Sequence, residues 1–383
     1  MNYPGEFDDI RCYTDSEVNA MLAKVVREPQ VQQILGFLFG AETAKQMVAQ
    51  SAQVNSVYQF QHQYIIAVLQ AIINKSCTDI ALEGCENIEK TRAYLHLTNH
   101  RDITLDPAFL NYLLHFNGFN TTQIGIGNNL LIMPWIEWAV RLNKAFIVRR
   151  DGGVREQLLI SKHMSAYMRY VITQVADSIW IAQREGRAKD SNDLTAPAII
   201  KMLNMSGEGT FVEKLRELHI APVAINYEFD PCDYLKAKEF QQKRDNPLHK
   251  KTPQDDIINM QVGIMGFKGR VRFAIANELE VPESWNDVPR ANQADVAAAA
   301  IDKLIHANYH LFPNNYVAAY LLTGNEAYAA HFTAQEKQAF EAYIAGQVQK
   351  IDLPNRDDEF ARQKMLLMYA NPLFNKEKAL QAE

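Results

Sequence analysis

The chain has 383 residues, 48% of them hydrophobic and 22% charged; this excludes a disordered or fibrous protein and leaves room for one large domain with additions, or for two domains. Its 39 Lys and Arg stand against 45 Asp and Glu, a net charge of −6, so there is no global positive field for nucleic acid and any anion site has to be local. Cys12, Cys77, Cys85 and Cys232 are scattered and form no C-x-x-C pair, which predicts reduced thiols in a cytosolic protein rather than a disulfide framework or a zinc site.

The opening residues 1–9 are acidic, with no basic start and apolar stretch behind it, so no signal peptide is expected. Residues 1–88 read as a helical N-terminal region. Ser16 is a plausible cap, Val31, Ile34, Leu35 and Leu38 keep helical spacing, and 64–73 is a further apolar helical stretch. That stretch falls short of the roughly 20 residues that cross a bilayer. A position on a membrane surface stays open.

From 89 to 288 the pattern changes. Buried strands are expected at 92–98, 144–150, 178–182, 220–227 and 271–275, with helices at 107–115 and 155–175 between them. Alternation of this kind predicts an α/β domain with a largely parallel mixed sheet flanked by helices. Residues 289–383 return to helix, with a helix-prone run at 294–301 and a capping box at Thr333–Glu336.

Four places carry residues suited to chemistry. Asn99-His100-Arg101-Asp102, with Asp106 beyond, lies where a strand gives way to a helix, the usual place for a site in an open α/β sheet. An imidazole there can take a proton from a hydroxyl, and a carboxylate can orient it; the other reading is a loop histidine beside a helix-capping aspartate. Arg149-Arg150 closes an apolar strand, and the arginine fork suits a phosphate; a solvated strand edge gives the same letters. Glu185-Gly186-Arg187 follows another strand, its glycine permitting close backbone approach to a ligand, or simply forming a polar loop. Pro222 opens a strand that ends in Tyr227-Glu228, with residues able to line an apolar slot or an ordinary core.

Other schemes find no support. The chain has no G-x-S-x-G elbow, H-E-x-x-H helix or Walker loop, and Gly125-Ile126-Gly127 lacks the third glycine of a dinucleotide fingerprint. The remaining histidines show no ligand-like clustering.

In their order and spacing, these four segments resemble motifs one to four of the glycerophospholipid acyltransferase family, over roughly residues 90–230. The resemblance implies transfer of a fatty acyl group from an acyl thioester, acyl-CoA or acyl-carrier protein, to a hydroxyl of a glycerol phosphate-type acceptor such as glycerol-3-phosphate or lysophosphatidate. It implies His100 as general base and an aspartate as its partner. The family has four residues between the two, which places Leu105 at the carboxylate position. Asp106 is preferred, because one inserted loop residue is easily absorbed, and Asp102 is the alternative. Arg149, Arg150, Glu185, Gly186, Arg187 and Pro222 would bind substrate. Glu208-Gly209-Thr210 matches the third motif better in letters but lies too close to Pro222. No metal or cofactor is implied beyond the thioester co-substrate, and no nucleic acid. A cytoplasmic protein with peripheral membrane contact is expected. Residues 130–141, with Trp135, Trp138 and Arg141, suit an interfacial segment or a core helix equally. Lys236, Lys238, Lys243, Arg244, Lys250 and Lys251 read as a solvated surface or a contact for anionic headgroups or a carrier protein. Two competing readings are a non-catalytic lipid- or carrier-binding protein on the same scaffold, and an acyltransferase for a non-glycerol acceptor.

Overall fold

The structure is a computed structural model that describes residues 3–150 and 152–381, so the first two residues of the acidic opening lie outside it. Among the described residues, one sheet is built from β1 (Cys77–Glu83), β2 (Leu95–Thr98), β3 (Gln123–Gly127), β4 (Ala145–Val148), β5 (Ile179–Ala182), β6 (Val223–Tyr227) and β7 (Gly269–Ile275). Their order is β1-β7-β6-β2-β5-β3-β4. Every pair is parallel except β6 with β7, so β2 to β6 share one direction and β1 and β7 run against them. This is the largely parallel mixed sheet flanked by helices that the sequence predicts.

Two strands were not foreseen. Helix ends at Ser76 and Cys77–Glu83 enters the sheet, where the sequence suggested helix. This strand pairs only with β7 and is half-exposed, so its polar Thr78, Asp79 and Glu83 hide the apolar pattern. β3 is masked by its glycines. A side-chain carbon added at Gly125 would come within 3.0 Å of Phe146 and 3.1 Å of Ile181, so the close approach of neighbouring strands requires glycine there.

Period-two alternation sorts the side chains of β2 and β5 between two apolar layers. Leu95, Leu97, Ile179 and Ile181 meet Tyr167 and Met168 of the helix Val154–Tyr170 and Ile301 and Ile305 of the helix Gln293–Ala307. Tyr94 and Trp180 face the other way, toward Leu105, Phe109 and Leu113 of the helix Leu105–Phe116. Burying one such side chain contributes about 1.5–3 kcal/mol; the two layers fix the sheet between its helices. The terminal regions form their own clusters. Val18, Leu22 and Phe60 centre the N-terminal one, and Val317, Phe340, Met365 and Leu373 the C-terminal one. The Thr333–Glu336 capping box forms, with Thr333 N–H donating to Glu336 Oε2 at 2.7 Å and Glu336 N–H to Thr333 Oγ1 at 3.2 Å.

Candidate active site

β2 to β6 deliver their C-terminal ends to one edge of the sheet, and β2 is the middle strand of the seven. Where β2 stops, the Asn99 side chain continues its pairing with β6: Nδ2 donates to Ile225 O at 2.9 Å and Oδ1 accepts Ile225 N–H at 2.7 Å. The amide thus takes the place of a peptide group and holds the next residue, His100, at the edge.

The following turn starts a helix. Asp102 Oδ1 accepts the N–H groups of Thr104 at 2.8 Å and Leu105 at 2.7 Å, as a helix-starting carboxylate does. Pro107 is tolerated in the first turn, where no intrahelical donor is lost. Asp106, in that same turn and fully buried, accepts four hydrogen bonds. Its Oδ2 takes His100 Nδ1–H at 2.7 Å, Arg101 N–H at 2.7 Å and Asp102 N–H at 3.1 Å, and its Oδ1 takes the Tyr227 hydroxyl at 3.1 Å. The aspartate beside His100 is therefore Asp106, while Asp102 closes the turn that leads into the helix. Burial, then the Asp106 charge, push the Asp102 carboxyl up from its ordinary range. With Nδ1 donating to a carboxylate, the hydrogen-bond network assigns the lone pair of His100 to Nε2. The ring packs against the edge of Trp180, with centroids 5.9 Å apart, and its side chain keeps 12% of its surface open.

The other predicted residues fall into two groups. Arg149 and Arg150 leave β4, three strands from β2, or about 14 Å at ordinary strand spacing. Arg150 reaches back to Glu185 at 3.2 Å, and Arg149 faces Glu156 at 3.9 Å. Gly186, at φ +68°, makes the left-handed turn that suits glycine. Arg187 turns inward instead. Its Nη2 donates to Asn259 at 2.9 Å, and its Nη1 is buried with no hydrogen-bond partner. Pro222 is buried directly before Val223, which pairs with Thr98 at the end of β2.

Several secondary readings resolve. Glu208-Gly209-Thr210 is a helix start: Thr210 caps the helix Phe211–Arg216 in a box with Glu213. Within 130–141, the helix Pro134–Leu142 packs Trp138 against the N-terminal cluster while Ile132 and Met133 ahead of it stay exposed. Lys236 is not a surface lysine. It is buried, paired with Asp230, and donates to Arg101 O at 3.4 Å. Lys243 and Lys251 pair with Glu239 at 2.9 and 3.3 Å.

Sequence reasoning missed the helix Pro253–Met265, which closes over this edge. A side-chain carbon at its Gly263 would lie 2.0 Å from Asp102 Oδ2, so helix and turn are in direct contact. The glycine was the available signal. Sequence reasoning named Tyr227 at its strand end but missed the hydroxyl's bond to Asp106, because a tyrosine there carries no mark of its partner.

Fold and site together define a class: an α/β domain that sets an imidazole–carboxylate pair at the end of its central strand. Residues 79–226 match the family model described as Acyltransferase, a segment that spans His100, Asp102, Asp106, Arg149, Arg150, Glu185, Gly186, Arg187 and Pro222 but neither the covering helix nor Tyr227. This part of the chain is thus similar to the acyltransferase family. Among solved structures, the chain is similar to the crystal structure of the 1-acyl-sn-glycerophosphate (LPA) acyltransferase PlsC from Thermotoga maritima, at 11% identity and a TM-score of 0.38, over 75% of this chain and 95% of that one. No curated protein matches it.

Proposed function

We propose that the protein moves a fatty acyl group from an acyl thioester, acyl-CoA or acyl-carrier protein, to a hydroxyl of glycerol-3-phosphate, lysophosphatidate or a closely related acceptor. The observation that carries this reading is the His100–Asp106 pair at 2.7 Å, on a strand end within the acyltransferase-family segment. His100 Nε2 takes the hydroxyl proton as the acceptor oxygen bonds to the thioester carbonyl carbon. The C–S bond then breaks, and the imidazolium returns its proton to the leaving thiolate. Asp106 orients the ring and stabilises the imidazolium. General-base assistance of this kind is worth roughly 10²–10⁴ in rate.

The acceptor phosphate is held by Arg149, Arg150 and the Glu185-Gly186-Arg187 turn. The Arg150–Glu185 pair sits half in solvent and is easily exchanged for a phosphate, and the unpartnered Nη1 of Arg187 supplies a further donor. Pro222 lines the approach beside β2. A lipid product requires a membrane, and no helix among the described residues is long and apolar enough to cross one. Peripheral contact on a cytoplasmic face fits the exposed Ile132 and Met133 and, past β4, Val154, Leu158 and Leu159.

The test is thiol release from acyl-CoA and acyl-carrier protein, with and without glycerol-3-phosphate, lysophosphatidate and dihydroxyacetone phosphate. Acceptor-dependent release is expected, and His100→Ala should abolish it while leaving the circular dichroism spectrum intact. No acceptor-dependent release from any pair would instead favour the non-catalytic binding protein.

A further inference from the structure

Tyr227 is the last residue of β6, and its hydroxyl reaches the one oxygen of Asp106 that neither His100 nor the backbone of the turn engages. We propose that Tyr227 is a positioning residue of the His100–Asp106 pair, draining charge from the carboxylate and so setting the pH at which the imidazole becomes a free base. This rests on the acyl-transfer reading above.

Three features support it. Tyr227 is buried and its ring packs 6.4 Å from that of Phe109, so the hydroxyl has little freedom to turn elsewhere. The phenol stays protonated, because burial and then the Asp106 charge hold its titration well above the ordinary range; it is a donor at every working pH. The carboxylate is also wholly enclosed, so no solvent replaces a lost donor. Other titratable groups around the pair are Asp102 on the turn, Arg187 beyond β5, Cys77 of β1 and Lys268 ahead of β7. None of their side chains has a hydrogen bond to Asp106; Asp102 meets it only through its backbone N–H.

Removing the donor leaves a more concentrated negative charge beside the imidazolium, which is then harder to deprotonate. In Tyr227→Phe the acidic limb of kcat/KM should move to higher pH by about half a unit to one unit, a part of the roughly one to two units that a hydrogen bond to a charged group is worth. The loss of activity is then larger at pH 6 than at pH 8.5. Replacing Tyr227 by 3-fluorotyrosine, a better donor of nearly the same shape, should move the limb the other way and guards against a variant that fails to fold. NMR titration of the His100 ring should show the same opposite displacements. It needs no turnover, so it separates failure of this proposal from failure of the acyl-transfer reading. An imidazole titration unmoved in both folded variants overturns the proposal, even if turnover falls.

Discussion

Replacing Asp106 by asparagine separates two carboxylates that lie four residues apart and differ in what they hold. Asp106 accepts four donors, among them the His100 ring, whereas Asp102 Oδ1 accepts the backbone N–H groups of Thr104 and Leu105. In Asp106→Asn either the amide nitrogen faces the three donors on Oδ2, or the oxygen stays there as a neutral acceptor. Both leave the imidazolium without a counter-charge. If the pair contributes about 10³ to the rate, the loss is about 4 kcal/mol of transition-state stabilisation. The same change at Asp102 keeps the turn, since the asparagine oxygen accepts the same two N–H groups. Asp102→Asn should therefore stay within a few-fold of the parent. The assay is kcat/KM for acceptor-dependent thiol release, with thermal melts to verify the fold. An Asp106→Asn protein retaining more than a tenth of the activity, or an Asp102→Asn protein that is the worse of the two, would refute the reasoning.

Two further predictions address regions outside the pair. Asp233 is fully buried among Tyr343 at 2.8 Å, Tyr369 at 2.9 Å and Gln347 at 2.6 Å, and burial, then the Asp230 charge, push its carboxyl up to about 7. The folded pKa lies above the unfolded one, so this group's contribution is complete below pH 4 and is lost as pH rises toward 7. Relative to Asp233→Asn, whose amide can donate to the two tyrosine oxygens and accept from Gln347, the parent should lose about 4 kcal/mol between pH 4 and pH 8; parallel denaturation curves at both pH values would disprove the assignment. For the proposed membrane contact, Val154, Leu158 and Leu159 are 92%, 58% and 62% exposed, close in sequence to Arg150, Arg155 and Lys162. Flotation with anionic phosphatidylglycerol vesicles at low salt should be lost in Leu158→Glu/Leu159→Glu, and flotation that survives the double change would place the contact elsewhere.

How much of this was legible in the chain depended on whether a feature had a local pattern. Strands buried on both faces, such as Ile179–Ala182, appear as short apolar runs, and five of the seven were foreseen. The half-exposed β1 and the glycine-bearing β3 have no such run. Likewise His100 stood out from its place at a strand end, but Tyr227, Asn259 and Gly263 reach the site from 127 to 163 positions further along, through contacts that only the tertiary packing creates.

The shifted aspartate shows what the sequence did contain. Leu105, Phe109 and Leu113 follow the i, i+4, i+8 stripe of a helix and lie together in the apolar layer beneath the sheet. Position 105, where the family spacing would put the carboxylate, is thus on the buried stripe. One residue further is a rotation of about 100°, which carries the side chain off that stripe and toward the strand ends where His100 stands. The additional residue is taken up in the turn between Asp102 and Leu105, whose N–H groups Asp102 satisfies. A helix started one residue earlier would bury an aspartate at 105 among leucines, and the insertion is what lets the stripe and the histidine contact coexist. The pattern test for such a site is therefore the phase of the apolar stripe, rather than a fixed count from the histidine. A Leu105–Asp106 exchange, which restores the count and breaks the phase, should cost both the melting temperature and acceptor-dependent release. Retention of either would show that the count decides instead.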